Sequence, residues 1–549
     1  MRKILLLTLF NLCFVQFSSA QCDETAEDKI LLLGDSWAFF MHVDGTLNTI
    51  EEKWGHSNYS YYSSPTLSVN GARTEDFLTP TKMTEIENTL IANPQFKAVH
   101  LSIGGNDVLG SWTVDFTPEQ SDSLKSKVYD RIVSIIDFIH GVRPEIQVIW
   151  SGYMYPNFEE VIAEFAPLET SHPFYGNWEG MGFPSFEELN TILSDFSNDL
   201  EVLVAGDPLI SFVSAPALMQ KYYGQELPLE VAPFGTYSAG FQPLPAGDIT
   251  YPSPKVSMRD YGLARDCFHL SAEGFEIMMD YQFQKIYHKL LMDDLYLFPE
   301  GEGISGTIFN DSTGSVFTVG DEGIGKQVTL LSFNTAEITD TVIDQASIFL
   351  RRKNLSGVRP FTSMVNVRFK NGYFGTSEAI ELEDKDEAGD LSSDLCVFGK
   401  NDTEGDWLRI DLDPEMIAMI SNTENFQVII EANAAGEDNI IEFSDLLDEE
   451  FAPVLNLQYK GINLSISENE LTQEKNRIQL FPNPTQGVLY FNAHGEEVKS
   501  ISILNLAGQS IMHEEINSNS IDLSAIPQGV YFFKVETING VFVEQFVKQ

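Results

Sequence analysis

"KILLLGDSWAFF", residues 29–40, decides how the chain is read. Four apolar residues, Ile30 to Leu33, run into Gly34-Asp35-Ser36, and aromatic residues follow. A short apolar run halted at a glycine predicts a buried strand that ends in a turn. Ser36 stands at the end of that strand, either as a turn residue or as a nucleophile.

Working outward, strands and helices alternate to about residue 295. "KAVHLSIGGND", residues 97–107, is a second apolar strand entering a glycine turn. The segment from Pro118 carries Leu124, Val128, Ile132, Ile135 and Ile139 at helical spacing. "IQVIWS", residues 146–151, predicts a third strand. "SFEELNTILSDFSNDL" predicts a helix, "VLVAGD" a fourth strand, and the segment after Ser271 a closing helix with Ser271 as its N-cap. This alternation predicts an α/β/α domain, a parallel sheet covered by helices on both faces. Ligands bind such sheets beyond the carboxyl ends of the strands, where Ser36 and Asn106 fall. Residues 221–262 are irregular and rich in Pro, Gly and Tyr, and read as an ordered functional loop.

The texture changes near Pro299. From there to Gly461, β-rich runs such as "QVTLLSF", "QASIFLRR", "DWLRIDL" and "PVLNLQY" are separated by Gly, Asn and Asp, which predicts an antiparallel β-sandwich. Residues 462–476 are polar and read as a linker, and residues 477–549 as a small C-terminal β-sandwich.

Residues 1–20 have the charged start, apolar centre and small-residue end (Ser18-Ser19-Ala20) of a signal peptide. No later apolar run is long enough to span a bilayer, so no transmembrane anchor is expected. The formal net charge is −48, which disfavours nucleic acid and anionic membranes as partners. Beyond the signal remain Cys22, Cys267 and Cys396, and the sequence does not choose which two pair. No zinc cluster, H-E-x-x-H helix or complete EF-hand loop occurs, and no metal or cofactor is expected.

A serine becomes a nucleophile when a base takes its proton and donors receive the oxyanion. Gly71 in "SVNGARTEDF" can present a backbone N–H, and Asn106 in "GGND" a side-chain amide. "ARDCFHLS", residues 264–271, sets Asp266 three residues before His269 in a short loop ahead of the closing helix. The carboxylate can then orient the imidazole toward Ser36. In isolation each of these residues is an ordinary turn former, cap or structural histidine; their joint occurrence favours catalysis. Cys267 reads as structural.

"GDS", the glycine of "NGA", "GGND" and "DxxH" stand in the order and approximate spacing of the SGNH, or GDSL-type, esterase/lipase family; the resemblance spans about residues 29–291 and implies a hydrolase domain over 21–298. The resemblance implies Ser36 as nucleophile, His269 as base and Asp266 as its orienting partner. It implies an oxyanion hole of the Ser36 N–H, the Gly71 N–H and the Asn106 side chain. The family's usual leucine after G-D-S is Trp37 here, which removes no catalytic group and lends no support to the name lipase. Residues 299–461 resemble a DNRLRE domain, with Tyr373, Phe374 and Trp407 as candidates to stack on sugar rings or to pack inside. Residues 477–549 resemble a type IX secretion C-terminal sorting domain, through "LFPNPTQGVLYF", "SISILNLAGQSI" and "IDLSAIPQGVYFFKV". That likeness implies the type IX machinery as partner and a secreted or cell-surface location. The expectation is a secreted serine esterase that deacetylates a polysaccharide. The alternatives are a lipase or phospholipase, and a surface glycan-binding protein with a vestigial hydrolase domain.

Overall fold

The computed structural model describes most residues from Cys22 to Tyr459 and most from Gln479 to Lys548; the longest stretches outside the described residues within that span are 225–243 and 460–478. The signal segment, the 462–476 linker and much of the 221–262 loop lie outside the described residues. Two compact units result, Met1–Lys460 and Gly461–Gln549.

The first unit opens on the expected strand, β1 (Glu27–Gly34), in which Ile30 to Leu33 are fully buried. It joins β2 (Tyr59–Tyr62), β3 (Ala98–Ser102), β4 (Gln147–Ser151) and β5 (Ile210–Val213) in a parallel sheet of order β2-β1-β3-β4-β5. Strand order reverses between β1 and β3, so a crevice opens at their carboxyl ends. Gly34 makes the closest backbone approach there: a Cβ on it would lie 2.0 Å from the Ser102 carbonyl oxygen. That fit lets the Asp35 N–H reach the same carbonyl at 2.8 Å.

On one face the helix Pro118–Val142 buries Val128, Ile132, Ile135, Ile136 and Ile139 against the sheet. The expected strand at "VLVAGD" is instead the end of the helix Phe186–Val204. Leu189, Ile192, Leu193, Phe196, Leu200 and Val204 keep one buried stripe at helical spacing, and the strand follows at Ile210. The closing helix Ala272–Gln282 is capped by Ser271, whose hydroxyl accepts the Gly274 N–H at 3.1 Å. Before it, β6 (Met258–Tyr261) and β7 (Ala264–Leu270) form an antiparallel hairpin.

The β-rich region begins at β8 (Leu295–Leu297), three residues ahead of the expected boundary at 298. It continues through β9 (Gly306–Ile308), β10 (Thr313–Gly314), β11 (Phe317–Asp321), β12 (Lys326–Asn334), β13 (Ile343–Gly357), β14 (Met364–Asn371) and β15 (Leu391–Phe398). It ends with β16 (Trp407–Asp411), β17 (Asn425–Glu431), β18 (Asn439–Phe443) and β19 (Val454–Tyr459). Its sheet closes on itself in the order β12-β11-β18-β13-β16-β15-β14-β17, because β17 pairs back with β12. Phe317, Phe333, Phe369 and Phe426 fill the interior.

The α/β region and the β-rich region share a hydrophobic core. Trp407 stacks on Trp54 with centroids 5.9 Å apart and lies 4.3 Å from the His288 ring, and Phe349 and Val454 join the same cluster. The Arg409 guanidinium donates to the Gly55 carbonyl at 3.0 Å and pairs with Glu24. A disulfide joins Cys22 to Cys396, leaving Cys267 free and buried. Trp407 and Phe374 are thus core residues, while Tyr373 is half-buried and accepts a hydrogen bond from Asn425.

The second unit has a three-stranded sheet of Gln479–Phe481, Val488–Asn492 and Ser520–Asp522. Its four-stranded sheet comprises Val498–Leu504, Ser510–Glu514, Gly529–Thr537 and Val541–Lys548. Leu489, Phe491, Ile501, Ile503, Phe533 and Phe546 form its core.

Candidate active site

Ser36 is the first residue of the helix Ser36–Val43, which springs directly from β1. Asp35 caps that helix by accepting the Trp37 N–H at 2.9 Å. The Ser36 N–H belongs to the first helical turn, where backbone donors have no intrahelical acceptor. It has no hydrogen-bond partner among the described residues.

His269 and Asp266 lie on β7, a strand and not the loop expected from the sequence. Strand geometry carries them because the register with β6 shifts between Met258 and Asp260, freeing the turn that Asp266 stabilises. Asp266 Oδ1 accepts the backbone N–H groups of Phe268 (2.9 Å) and His269 (3.0 Å). Its Oδ2 is left for His269 Nδ1 at 2.8 Å. The far nitrogen, Nε2, then meets Ser36 Oγ at 2.6 Å. All three side chains are buried, with Asp266 1% and His269 7% exposed. Phe40 packs edge-on against the imidazole at 4.9 Å, and Phe268 covers it at 4.3 Å. Asn157 holds the strand in place by donating its N–H to the Cys267 carbonyl at 2.6 Å.

The donors converge from two further loops. Gly71 takes φ +76°, a conformation glycine adopts without strain, and its N–H has no partner among the described residues. Asn106 follows β3, and its Nδ2 donates to the Ala72 carbonyl at 3.0 Å and lies 3.5 Å from Asp35 Oδ2. The loops are tied together by Asp107, which accepts the Thr74 N–H (2.8 Å), the Thr74 hydroxyl (2.7 Å) and an Arg131 N–H (3.3 Å). The structure therefore brings all five expected residues, Ser36, Gly71, Asn106, Asp266 and His269, to one crevice.

Sequence reasoning missed Tyr153. Its hydroxyl donates to Asp35 Oδ2 at 2.7 Å and accepts the Gly105 N–H at 3.1 Å, linking the Ser36 turn to the Asn106 turn. Its signal was its place, two residues beyond β4 on the ligand-binding edge of the sheet. Burial pushes the Asp35 carboxyl up to about 6, although the Tyr153 hydroxyl and the Trp37 N–H both favour its charged form. Burial also raises the Cys267 thiol far above its ordinary value, with the Asp266 charge adding to the effect, so it does not supply a thiolate nucleophile. Trp37 packs against Tyr153 and Phe275.

A narrow cavity of about 20 Å³ lies beside Ser36, bordered by Trp37, Gly105, Asn106, Tyr153 and Phe268. A second, of about 140 Å³, is lined by Gly71 and Asn106 and shares Asn106 and Phe268 with the first. Among the described residues no group of three or more His, Cys, Asp or Glu is placed to hold a metal ion.

Residues 479–549 match the family described as the secretion system C-terminal sorting domain. The chain carries an export domain at this end, and its location is the cell surface or the medium. Among the described residues no helix is long and apolar enough to cross a membrane. No curated protein matches the chain. Among solved structures, a lipase from a goat rumen metagenome is similar at 13% identity, over 48% of this chain and 100% of that one, with a TM-score of 0.29. A GDSL-like lipase from Bacteroides thetaiotaomicron is 15% identical over 48% of this chain and 88% of that one, with a TM-score of 0.26. An acetyl xylan esterase is 12% identical over 47% and 99%, with a TM-score of 0.25.

Proposed function

We propose that this protein is an exported serine esterase that removes short acyl groups, acetyl above all, from a polysaccharide. The observation that carries the reading is the continuous relay from Asp266 Oδ2 through His269 to Ser36 Oγ, at 2.8 and 2.6 Å. In this mechanism Ser36 Oγ attacks the ester carbonyl carbon while His269 Nε2 takes its proton. The carbonyl electrons move onto oxygen, which the Ser36 and Gly71 N–H groups and the Asn106 amide receive. The intermediate collapses, the C–O bond to the alcohol breaks, and the imidazolium protonates the departing oxygen. Water, deprotonated by the same imidazole, then hydrolyses the acyl-serine.

The 20 Å³ cavity beside Ser36 supports a short acyl group over a long lipid chain. The two unengaged backbone donors support a competent site over a vestigial one. Export and the net charge of −48 favour a substrate outside the cell that is not an anionic membrane.

The test is hydrolysis of acetyl, butyryl and decanoyl esters of one chromogenic alcohol, alongside acetylated polysaccharides. Acetyl esters are expected to be the best substrates, and Ser36→Ala to lower kcat by several orders of magnitude, on the order of 10⁴ or more. A folded Ser36→Ala protein that keeps full activity overturns the assignment, and a preference for decanoyl esters overturns the acyl-chain reading.

A further inference from the structure

Arg73 stands two residues beyond the oxyanion donor Gly71 and borders the 140 Å³ cavity together with Gly71, Asn106, Asn177, Phe158 and Phe268. Its guanidinium carries five N–H donors, and the structure gives it one acceptor, the Gly110 carbonyl at 3.3 Å. No carboxylate among the described residues pairs with it. The adjacent Asp76 is turned to the Arg73 backbone N–H at 2.8 Å, not to the side chain.

This is unusual in a chain with 81 acidic and 33 basic residues. The other cations around the crevice are all engaged. Arg131 is paired with Glu75 and Asp107, Arg259 with Asp44, and Lys255 and Arg265 with Glu164. A half-buried guanidinium left without a carboxylate, beside aromatic walls and a side-chain amide, has the makings of an anion subsite. Planar, forked donors suit a carboxylate, which they can bind through two parallel hydrogen bonds.

We propose that Arg73 and Asn177 form a subsite for a carboxylate carried by the ester substrate, so that the enzyme's preferred substrates are acidic esters. This rests on the esterase reading of Ser36 and names the substrate class for it. The carboxylate belongs either to the alcohol part, as in an acetylated uronic-acid sugar, or to the acyl part, as in a half-ester of a dicarboxylic acid. In both cases the long-range repulsion of a −48 chain is screened within about 10 Å at 0.1 M salt, and the guanidinium acts at contact.

The experiment uses the full chain and two matched pairs of esters. One pair is an acetylated methyl glucoside and the acetylated methyl glucuronide. The other is an aryl butyrate and the aryl hemisuccinate. For one pair, kcat/KM is expected to be about tenfold or more higher for the carboxylate member, the scale of a charge-assisted contact. In Arg73→Gln that ratio is expected to fall to near one, and in Arg73→Lys to an intermediate value. A ratio near one in the native chain for both pairs overturns the proposal. So does a ratio that Arg73→Gln leaves unchanged, since the guanidinium would then serve only the Gly110 loop.

A second measurement needs no turnover. In Ser36→Ala, glucuronate is expected to bind more tightly than glucose by a similar factor, and the added Arg73→Gln change to remove the difference. Failure of all four esters to react, with the glucuronate preference present, would refute the esterase reading and leave the subsite standing. Equal binding of glucose and glucuronate, together with a ratio near one for the butyrate and hemisuccinate pair, would refute the subsite.

Discussion

Replacing Trp407 by alanine tests whether the α/β region and the β-rich region fold as one body. Trp407 is 1% exposed and lies against Trp54 and His288 of the α/β region. Truncating a tryptophan in such a place costs about 3–5 kcal/mol, as lost transfer energy plus the cavity left behind. The size of the cooperative unit sets the shift in Tm. A unit of about 440 residues, Cys22 to Tyr459, has an unfolding entropy near ~0.9 kcal/mol/K, so about 4 kcal/mol moves Tm by about 4 °C. A β-rich region of about 165 residues melting alone would have ~0.35 kcal/mol/K and move by about 12 °C. The assay is calorimetry alongside residual hydrolysis of a small acetyl ester through the melt. The shared core predicts one transition, with activity and heat absorption falling together and both shifted by about 4 °C. An activity midpoint that stays in place, while a separate transition moves by about 12 °C, refutes the reasoning. It would show instead two separate modules, with a chain cut after residue 298 folding and acting alone. On the present argument that cut bares the Trp54 cluster and removes β8 from its partner β19, and the product is expected to aggregate.

Three further outcomes follow from the site and its supports. Asn106→Ala is expected to lower kcat by on the order of 10²–10³ with little change in KM, as loss of an oxyanion donor does, and a change confined to KM would contradict the role. Burial raises the Asp35 carboxyl from its ordinary 3.8 to about 6, so its contribution to stability is present below pH ~4 and lost as pH rises through about 6. Asp35→Asn is therefore expected to flatten the pH dependence of unfolding between pH 4 and 8 by about 3 kcal/mol, at ~1.4 kcal/mol per pH unit, while turnover falls; equal pH profiles by denaturant titration would contradict it. Cys396→Ser opens a bond that closes 374 residues of chain, and the expected loss is about 2–5 kcal/mol, read as a lower denaturant midpoint without loss of the active-site geometry.

The sequence was most legible where one signal dominated. The run Ile30 to Leu33 has nowhere to go but a buried strand, and Ser36 and Asn106 fell just past strand ends, where this fold gathers its ligands. "VLVAGD" misled because three apolar residues beside a glycine look like a strand, while the stripe from Leu189 to Val204 is visible only when the whole helix is taken together. β15 and β18 escaped for a different reason. β15, "LSSDLCVF", has only Leu395 buried, so polar serines and an aspartate mask its alternation. Nothing local announced the Cys22–Cys396 bond, the shared Trp407 cluster or the Tyr153 bridge, since each depends on residues far apart in the chain meeting in space. The glycan-stacking candidates illustrate the limit: an aromatic such as Trp407 has the same letter whether it faces a sugar or a tryptophan from the neighbouring region.

The tie between Cys22 and Cys396 also sets an order of events for a chain that emerges amino end first. Glu24 and Cys22 are among the earliest residues past the expected signal segment, yet their partners Arg409 and Cys396 come almost four hundred residues later. Through most of synthesis the Trp54 surface waits for a tryptophan not yet made. The proposed catalytic residues span 36 to 269, but the shared core and the disulfide are completed only when the β-rich region arrives. Premature termination between residues 270 and 395 therefore leaves a polypeptide that contains every proposed catalytic group and lacks its clasp. On the proposed reading, synthesis past Arg409 is itself the check on a sound site.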